Sequence, residues 1–329
     1  MLKTVRPCVL ALALFPLLLR ADDDPYAFRK SSGLSSVEFT SENDLFGLKG
    51  TDKYYTNGFK LAYVTESLND EPSVWNFRAH YGISQEIYTS SDTSLTTPAA
   101  GDHPYSAWLY AMAGLGWEDA NTLDLLTIRA GIVGPAALGE QIQNNYHHLI
   151  GDPTAKGWDT QLKNEPGIDL EWSRVWRARL TGDNTGFATE LLPRMSVEIG
   201  TVRTFGTIGV QYRFGENLPQ DFGIRSSRDT SVDGAPTKFA GHDGFAPDSY
   251  YAFVDAQAEA WAWNMAIDGN MYHSGNGVPR KDFVGQVGFG FAVQWGGTRL
   301  SVGEYLRTKE FQDQQGVFSF GSISINVAF

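Results

Sequence analysis

Long runs of period-two alternation constrain this chain more than any other feature. Phe283, Val287, Phe289, Phe291, Val293 and Trp295 share one parity, while Gln286, Gly288, Gly290, Ala292 and Gln294 share the other. The last segment repeats the pattern, with Val317, Ile323, Ile325, Val327 and Phe329 set against Ser322, Ser324, Asn326 and Ala328. A residue period of two means strands with one apolar and one polar face. A soluble sandwich would also bury one face. Here the segments run about 10 residues or more, the length a tilted strand needs to cross a bilayer, and Tyr, Trp and Phe gather near their ends. Such segments fall near 34–46, 54–66, 76–89, 104–117, 122–134, 164–180, 187–203, 205–214, 248–264, 282–295, 297–309 and 316–329. The pattern predicts an all-β fold: a closed antiparallel transmembrane β-barrel of about twelve strands. An even count brings both ends of the sheet together, and closure leaves no edge that lipid would strand unpaired.

The first residues predict export. Lys3 and Arg6 precede an apolar run from Val9 to Leu19, and Ala21 stands where a signal would be cut. The run is too short to span a membrane as a helix, which needs about 20 residues. The expected organisation is a signal peptide over 1–21 and one barrel domain over 22–329. Cys8, the single cysteine, lies in the signal, so thiol chemistry is excluded from the mature chain. The formal charge of −12 becomes more negative when Lys3, Arg6 and Arg20 are removed. That balance excludes a nucleic-acid backbone as partner and suits divalent cations.

Two stretches break the strand rhythm. Residues 215–247 form a polar run rich in Gly, Asp and Ser, expected to be an extracellular loop. From Pro135 to Ile150 the spacing turns helical, with Pro135 suited to a first turn and Gly151 to a stop. Leu138, Ile142 and Leu149 fall on one face. Gln143 and His147 are four residues apart and project from a common side, expected to adjoin that apolar stripe. The helix is therefore expected on the barrel or lipid surface, presenting an imidazole inward. Spacing alone leaves His147 open between a general base and a solvated histidine; His148 beside it points elsewhere.

A second polar cluster sits in the first hairpin: Glu42-Asn43-Asp44, then Thr51-Asp52-Lys53-Tyr54-Tyr55-Thr56-Asn57-Gly58. Such oxygens at one rim suit a hard cation such as calcium, although an ordinary polar hairpin has the same composition. Strict alternation makes Thr56 and Lys60 lumenal. Asn43 and Asp44, as neighbours, can serve one site only if the strand bulges or ends there. His273-Ser274 is read as a turn, because adjacent strand residues face opposite ways and glycines flank it. No G-x-S-x-G elbow or metalloprotease histidine pair is present.

Glu42-Asn43-Asp44-Leu45-Phe46 with Asp52-Lys53-Tyr54-Tyr55-Thr56-Asn57-Gly58 resembles the opening of the lipid A 3'-O-deacylase family of outer-membrane barrels. Further matches are Gly131-Ile132-Val133-Gly134-Pro135, Gly139-Glu140, Gln143-Asn144, His147 and Ile150-Gly151. Asp102-His103-Pro104-Tyr105, Lys156-Gly157-Trp158 with Gln161-Leu162, and Asp268-Gly269-Asn270 extend the likeness over nearly all of 22–329. The resemblance implies a twelve-stranded barrel that hydrolyses the 3' acyloxyacyl ester of lipid A in lipopolysaccharide, in the outer leaflet. It implies His147 as general base with Gln143 beside it, Asn43 and Asp44 holding calcium or its waters, and Thr56 lining the pocket. A membrane-embedded monomer is expected. Lys53 and Lys60 suit lipid phosphates or an inert interface equally. The rival readings are a phospholipase-type esterase and a non-catalytic binding barrel.

Overall fold

The computed structural model describes residues 34–47, 53–69, 75–183, 185–229, 232–233, 238–239, 246–274 and 276–329. The expected signal over 1–21, with Cys8, and the hairpin residues Thr51 and Asp52 lie outside them. Among the described residues, thirteen strands form one antiparallel sheet. They are β1 (Ser36–Asn43), β2 (Tyr54–Val64), β3 (Asn76–Thr89), β4 (Ser106–Glu118), β5 (Thr122–Val133), β6 (Glu165–Trp176), β7 (Ala178–Thr181), β8 (Phe187–Gly200), β9 (Arg203–Glu216), β10 (Ser249–Asn264), β11 (Phe283–Trp295), β12 (Thr298–Arg307) and β13 (Phe318–Ala328). Among the described residues two α-helices accompany them, α1 (Gly139–Ile150) and α2 (Met265–Asp268).

The sheet closes on itself. β1 pairs with β13, setting Ser36 opposite Ala328, and β6 pairs with β8. Ala178 opposite Leu191 continues the register that puts Val175 opposite Arg194, so β6 and β7 are one stave broken at Arg177. The barrel therefore has twelve staves, at the positions the alternation marks. Along β1, Val37 and Phe39 are exposed while Ser36, Glu38 and Thr40 are buried. This is apolar outward and polar inward, as a lipid-facing wall requires. Ser36 and Ala328 lie at one mouth. The opposite mouth carries the connection with α1, and we refer to it as the rim.

The described part of residues 215–247 does not form an extracellular loop. β9 runs away from the rim, so the chain leaves Glu216 at the mouth that carries Ser36 and Ala328. Its described part then turns into the lumen and is buried from Asp221 to Arg228. Gln211 brackets Ile224, accepting its N–H at 3.2 Å and donating to its carbonyl. Ser227 donates to Glu42 through its N–H at 2.8 Å and its hydroxyl at 2.6 Å. Arg228 pairs with Glu310, beyond β12, at 3.0 Å. The segment is a plug that runs up the barrel axis. A polar sequence with no period of its own can be solvated or, as here, satisfied by the side chains of a polar lumen.

Charge pairs complete the filling. Arg194 meets Asp255 at 2.6 Å and Arg307 meets Glu259 at 2.8 Å. Arg203 binds both Glu86 (3.2 Å) and Glu198 (3.0 Å). Arg213 joins wall to plug through Glu190 and Asp221. Lys60 lies buried against Glu38 at 2.7 Å, which takes it away from any lipid phosphate. Burying ions is costly unless each is paired, and removing one partner leaves its counter-charge stranded. Arg213→Ala is expected to cost about 3–5 kcal/mol, measured as urea-induced unfolding of the barrel in lipid vesicles. Planar-bilayer recordings are expected to show no porin-sized conductance steps; such steps would contradict a filled lumen.

Candidate active site

The connection from β5 to β6 lies against the outside of the wall. On β3, Tyr81 and Ile83 are exposed, 52% and 43%, yet Gln85 and Ile87 on the same parity are buried. What covers them begins at Gly134, whose N–H donates to the Ala107 carbonyl at 3.0 Å. The Gln85 amide donates to the carbonyl of Ala137, fixing a 3-10 turn over Pro135–Ala137. Leu138 then takes a left-handed conformation (φ 61°), and only from Gly139 does α1 run, to Ile150. The single helix expected from Pro135 is thus two pieces with a kink between them. Gly139 is needed for close approach: a Cβ there would stand 2.5 Å from Ala107 Cβ and 2.7 Å from Trp158 Cη2.

α1 turns its polar side to the wall. Gln143 and His147 are buried, while His148 is exposed. The Gln143 carbonyl oxygen accepts the Trp158 indole N–H at 2.9 Å, and Trp158 packs edge-on against Tyr105, centroids 5.1 Å apart. His147 Nδ1 lies 2.6 Å from the carbonyl oxygen of Pro153. A carbonyl only accepts, so Nδ1 carries a proton, which in a neutral imidazole leaves the lone pair on Nε2. The apolar stripe does not adjoin this face. At 3.6 residues per turn, Leu149 lies about 160° and Ile142 about 140° around from His147.

Asn43 and Asp44 are both buried, and the strand ends between them as the shared-site reading requires. Asn43 closes β1, and its side-chain oxygen accepts the N–H of Leu45 at 2.8 Å. Asp44 opens a 3-10 turn, and its carboxylate accepts the N–H of Lys53 at 2.5 Å. Thr56 departs from the expected lumenal position. The β2–β3 register slips between Tyr55 and Asn57, leaving Thr56 as the extra residue of a bulge. Its hydroxyl meets that of Thr89 at 2.7 Å, and Thr89 shares the outward parity of Ile83, Gln85 and Ile87.

One cross-strand row relates these groups. Asn43 stands opposite Asn57, Asn57 opposite Ile87, and Ile87 opposite Ala107. Ala107 is the residue on which Gly139 rests. With strands about 4.8 Å apart, the row spans about 14 Å. Asn43, Asp44, Thr56 and the buried face of α1 therefore share the rim and the outer wall, with the oxygen pair on β1 and the helix over β3 and β4.

Two further histidines have structural partners, and His273 lies outside the strands, as its reading as a turn expects. His103 is buried in a ring cluster, stacked on Tyr88 with 5.6 Å between centroids. Its Nδ1 donates to the Pro104 carbonyl at 2.7 Å, and burial pushes the ring below the ordinary histidine pKa. His273 lies in the loop after α2, with Nδ1 2.7 Å from Glu165. Sequence reasoning missed Gln85 and Thr89. The signal was available: polar residues on the parity that elsewhere along β3 carries Tyr81 and Ile83.

Gly139→Leu should lift the N-terminal end of α1 from β4. Limited proteolysis of vesicle-embedded protein is expected to cut within 138–152 at least several-fold faster than in wild type, with the barrel intact.

The family model described as "Outer membrane protein LpxR" matches residues 8–329. Among solved structures, LpxR from Salmonella typhimurium is 21% identical and superposes with a TM-score of 0.73, covering 89% of this chain and 100% of that one. The β domain of the Bordetella autotransporter Brka is 11% identical with a TM-score of 0.44, covering 91% and 100%. No curated protein matches the sequence. The extent of the family match settles the assignment: the chain belongs to the LpxR family of outer membrane proteins.

Proposed function

We propose that this protein is an outer-membrane lipid A deacylase that hydrolyses the 3'-O-linked acyloxyacyl ester. The observation that carries the reading is the state of His147. It is buried at a lipid-side wall, and its Nδ1 is committed to the Pro153 carbonyl. In a neutral imidazole that bond puts the basic lone pair on Nε2, the atom a general base would use. Nε2 takes a proton from a water molecule as the water oxygen bonds to the ester carbonyl carbon. The tetrahedral intermediate then breaks its bond to the sugar oxygen, which takes the proton back from His147. The products are the free fatty acid and the sugar hydroxyl, with no acyl-enzyme.

Gln143 positions this ring indirectly. Its side-chain oxygen holds the Trp158 indole, which seats the loop after α1 on Tyr105. Thr56, paired with Thr89, presents hydroxyl groups on the same outer face. Asn43 and Asp44 supply oxygens of the kind calcium takes. Among the described residues no group of three or more His, Cys, Asp or Glu is placed to hold a metal. One carboxylate and one amide fit calcium with water filling most of its 6–8 positions. Bound there, calcium would stabilise negative charge developing on the carbonyl oxygen.

His147→Ala is expected to lower release of 3' acyl chains about 10²–10⁴-fold, read by mass spectrometry of lipid A, with His148→Ala near wild type. Undiminished release by His147→Ala defeats the assignment of the base. Excess chelator is expected to stop the reaction and calcium to restore it; full activity in chelator would remove calcium from the mechanism. Fatty-acid release from phospholipid, with lipopolysaccharide untouched, would favour a phospholipase-type esterase instead. No hydrolysis of either lipid would leave a binding barrel.

A further inference from the structure

The rule that lipid-facing positions are apolar is broken again at the mouth opposite the rim. On β5 the outward Leu126 and Ile128 are exposed, and the next outward position toward that mouth is Asp124, which is fully buried. On β6 the outward Ile168 and Leu170 are exposed, and the same parity then continues through Trp172, Arg174 and Trp176. Asp124 stands opposite Arg174 on one side and Trp117 on the other. The apolar belt therefore ends, on the outer surface of β4, β5 and β6, in a carboxylate, a guanidinium and a group of indoles.

A charge on the lipid side is costly at the bilayer centre and tolerated near its surfaces. Tryptophan collects where hydrocarbon gives way to headgroups. The cluster thus marks that boundary. This mouth carries the short turns 119–121 and 296–297, and short turns face the periplasm in such barrels, so the boundary belongs to the periplasmic leaflet. Arg174 is fixed there by one edge. Its Nε and Nη2 donate to Asp124 at 2.8 and 2.9 Å, and the Trp172 indole N–H donates to the same carboxylate at 3.2 Å. The guanidinium carbon lies 5.9 Å from the Trp172 ring and 5.9 Å from the Trp176 ring. The Nη1 end meets no acceptor among the described residues, and the side chain is 35% exposed. An arginine held in this way offers a rigid, permanently charged fork that matches phosphate oxygens.

We propose that Arg174, framed by Trp172 and Trp176, binds the phosphodiester of a glycerophospholipid in the periplasmic leaflet. Nη1 donates to a phosphate oxygen, and the indoles lie against the glycerol and the first acyl carbons, each ring having an apolar face suited to that depth. Asp124 cancels the charge of Arg174, so the site recognises phosphate by directed hydrogen bonds and does not require an anionic lipid. It lies at the opposite end of the barrel from His147, and it is independent of the deacylase reading.

The test places the protein in nanodiscs of phosphatidylethanolamine, a fraction of which carries a photoreactive diazirine on the headgroup nitrogen. After illumination, labelled residues are located by tandem mass spectrometry. Labelling within 117–124 and 172–176 is expected to exceed that at Tyr250 and Trp295, which lie at the same mouth, at least several-fold. Arg174→Gln is expected to bring it down to their level. Because that change leaves Asp124 without its counter-charge, the double variant Asp124→Asn with Arg174→Gln, which buries no charge, is measured beside it and is expected to lose the label equally. Even labelling around the mouth, or undiminished labelling of the double variant, overturns the proposal. So does displacement of the label by added inorganic phosphate, which would make the site one for the free ion. Deacylation is a separate readout: an inactive protein with the label in place leaves this inference standing and defeats the catalytic reading alone.

Discussion

Hydrocarbon offers a peptide group nothing to hydrogen-bond with, and the whole molecule follows from that deficit. Each strand crossing the bilayer must be paired on both sides, which β1 with β13 and β6 with β8 achieve by closing the sheet. Closure sets a strict parity: one side chain to lipid, the next to the lumen. The lumen side is too narrow for bulk water and too polar to be left unpaired. Arginines from the wall are therefore matched to carboxylates from the wall and from the plug, as Arg213 is to Glu190 and Asp221.

A filled lumen moves the chemistry outward. With Ser227 bonded to Glu42 and Arg228 to Glu310, the axis is occupied from the mouth beside Ser36 to the rim. A lipid substrate has no reason to enter it. The outer wall near the rim is the opposite kind of place: polar side chains appear on a parity that should carry apolar ones. Asn43, Asn57, Gln85 and Thr89 break the lipid-facing rule within a few residues of one another across three strands. The connection after β5 covers part of this patch with the polar side of α1. The same inversion explains why the helix offers Ile142 and Leu149 outward.

Much of this was legible in the chain. Alternation located all twelve staves, because a lipid-facing position admits few residue types and so leaves a clear period. It also joined β6 and β7 correctly, since a one-residue break at Arg177 does not disturb parity. Helical spacing found α1 and the shared side of Gln143 and His147, but not the direction of its stripe, which depends on whether lipid or protein lies beyond. Thr56 was misplaced because a bulge shifts parity by one residue and has no signature in sequence here. The plug was misread because its partners, such as Glu42, Gln211 and Glu310, are distant in the chain. Composition cannot distinguish a solvated loop from one satisfied inside a barrel.

The central claim is that the reacting ester sits in the crevice between α1 and the outer wall, beside His147 Nε2. A crystal structure of the protein with a lipid A analogue, its 3' ester replaced by a non-hydrolysable ether, tests this directly. The account predicts the ether carbon that replaces the carbonyl within one water's reach of Nε2, about 5–6 Å, made up of one hydrogen bond from the water to Nε2 and one oxygen-to-carbon contact of about 3–3.5 Å, and the chain passing under α1. An analogue bound in the lumen, or on the far side of the barrel from His147, would contradict it.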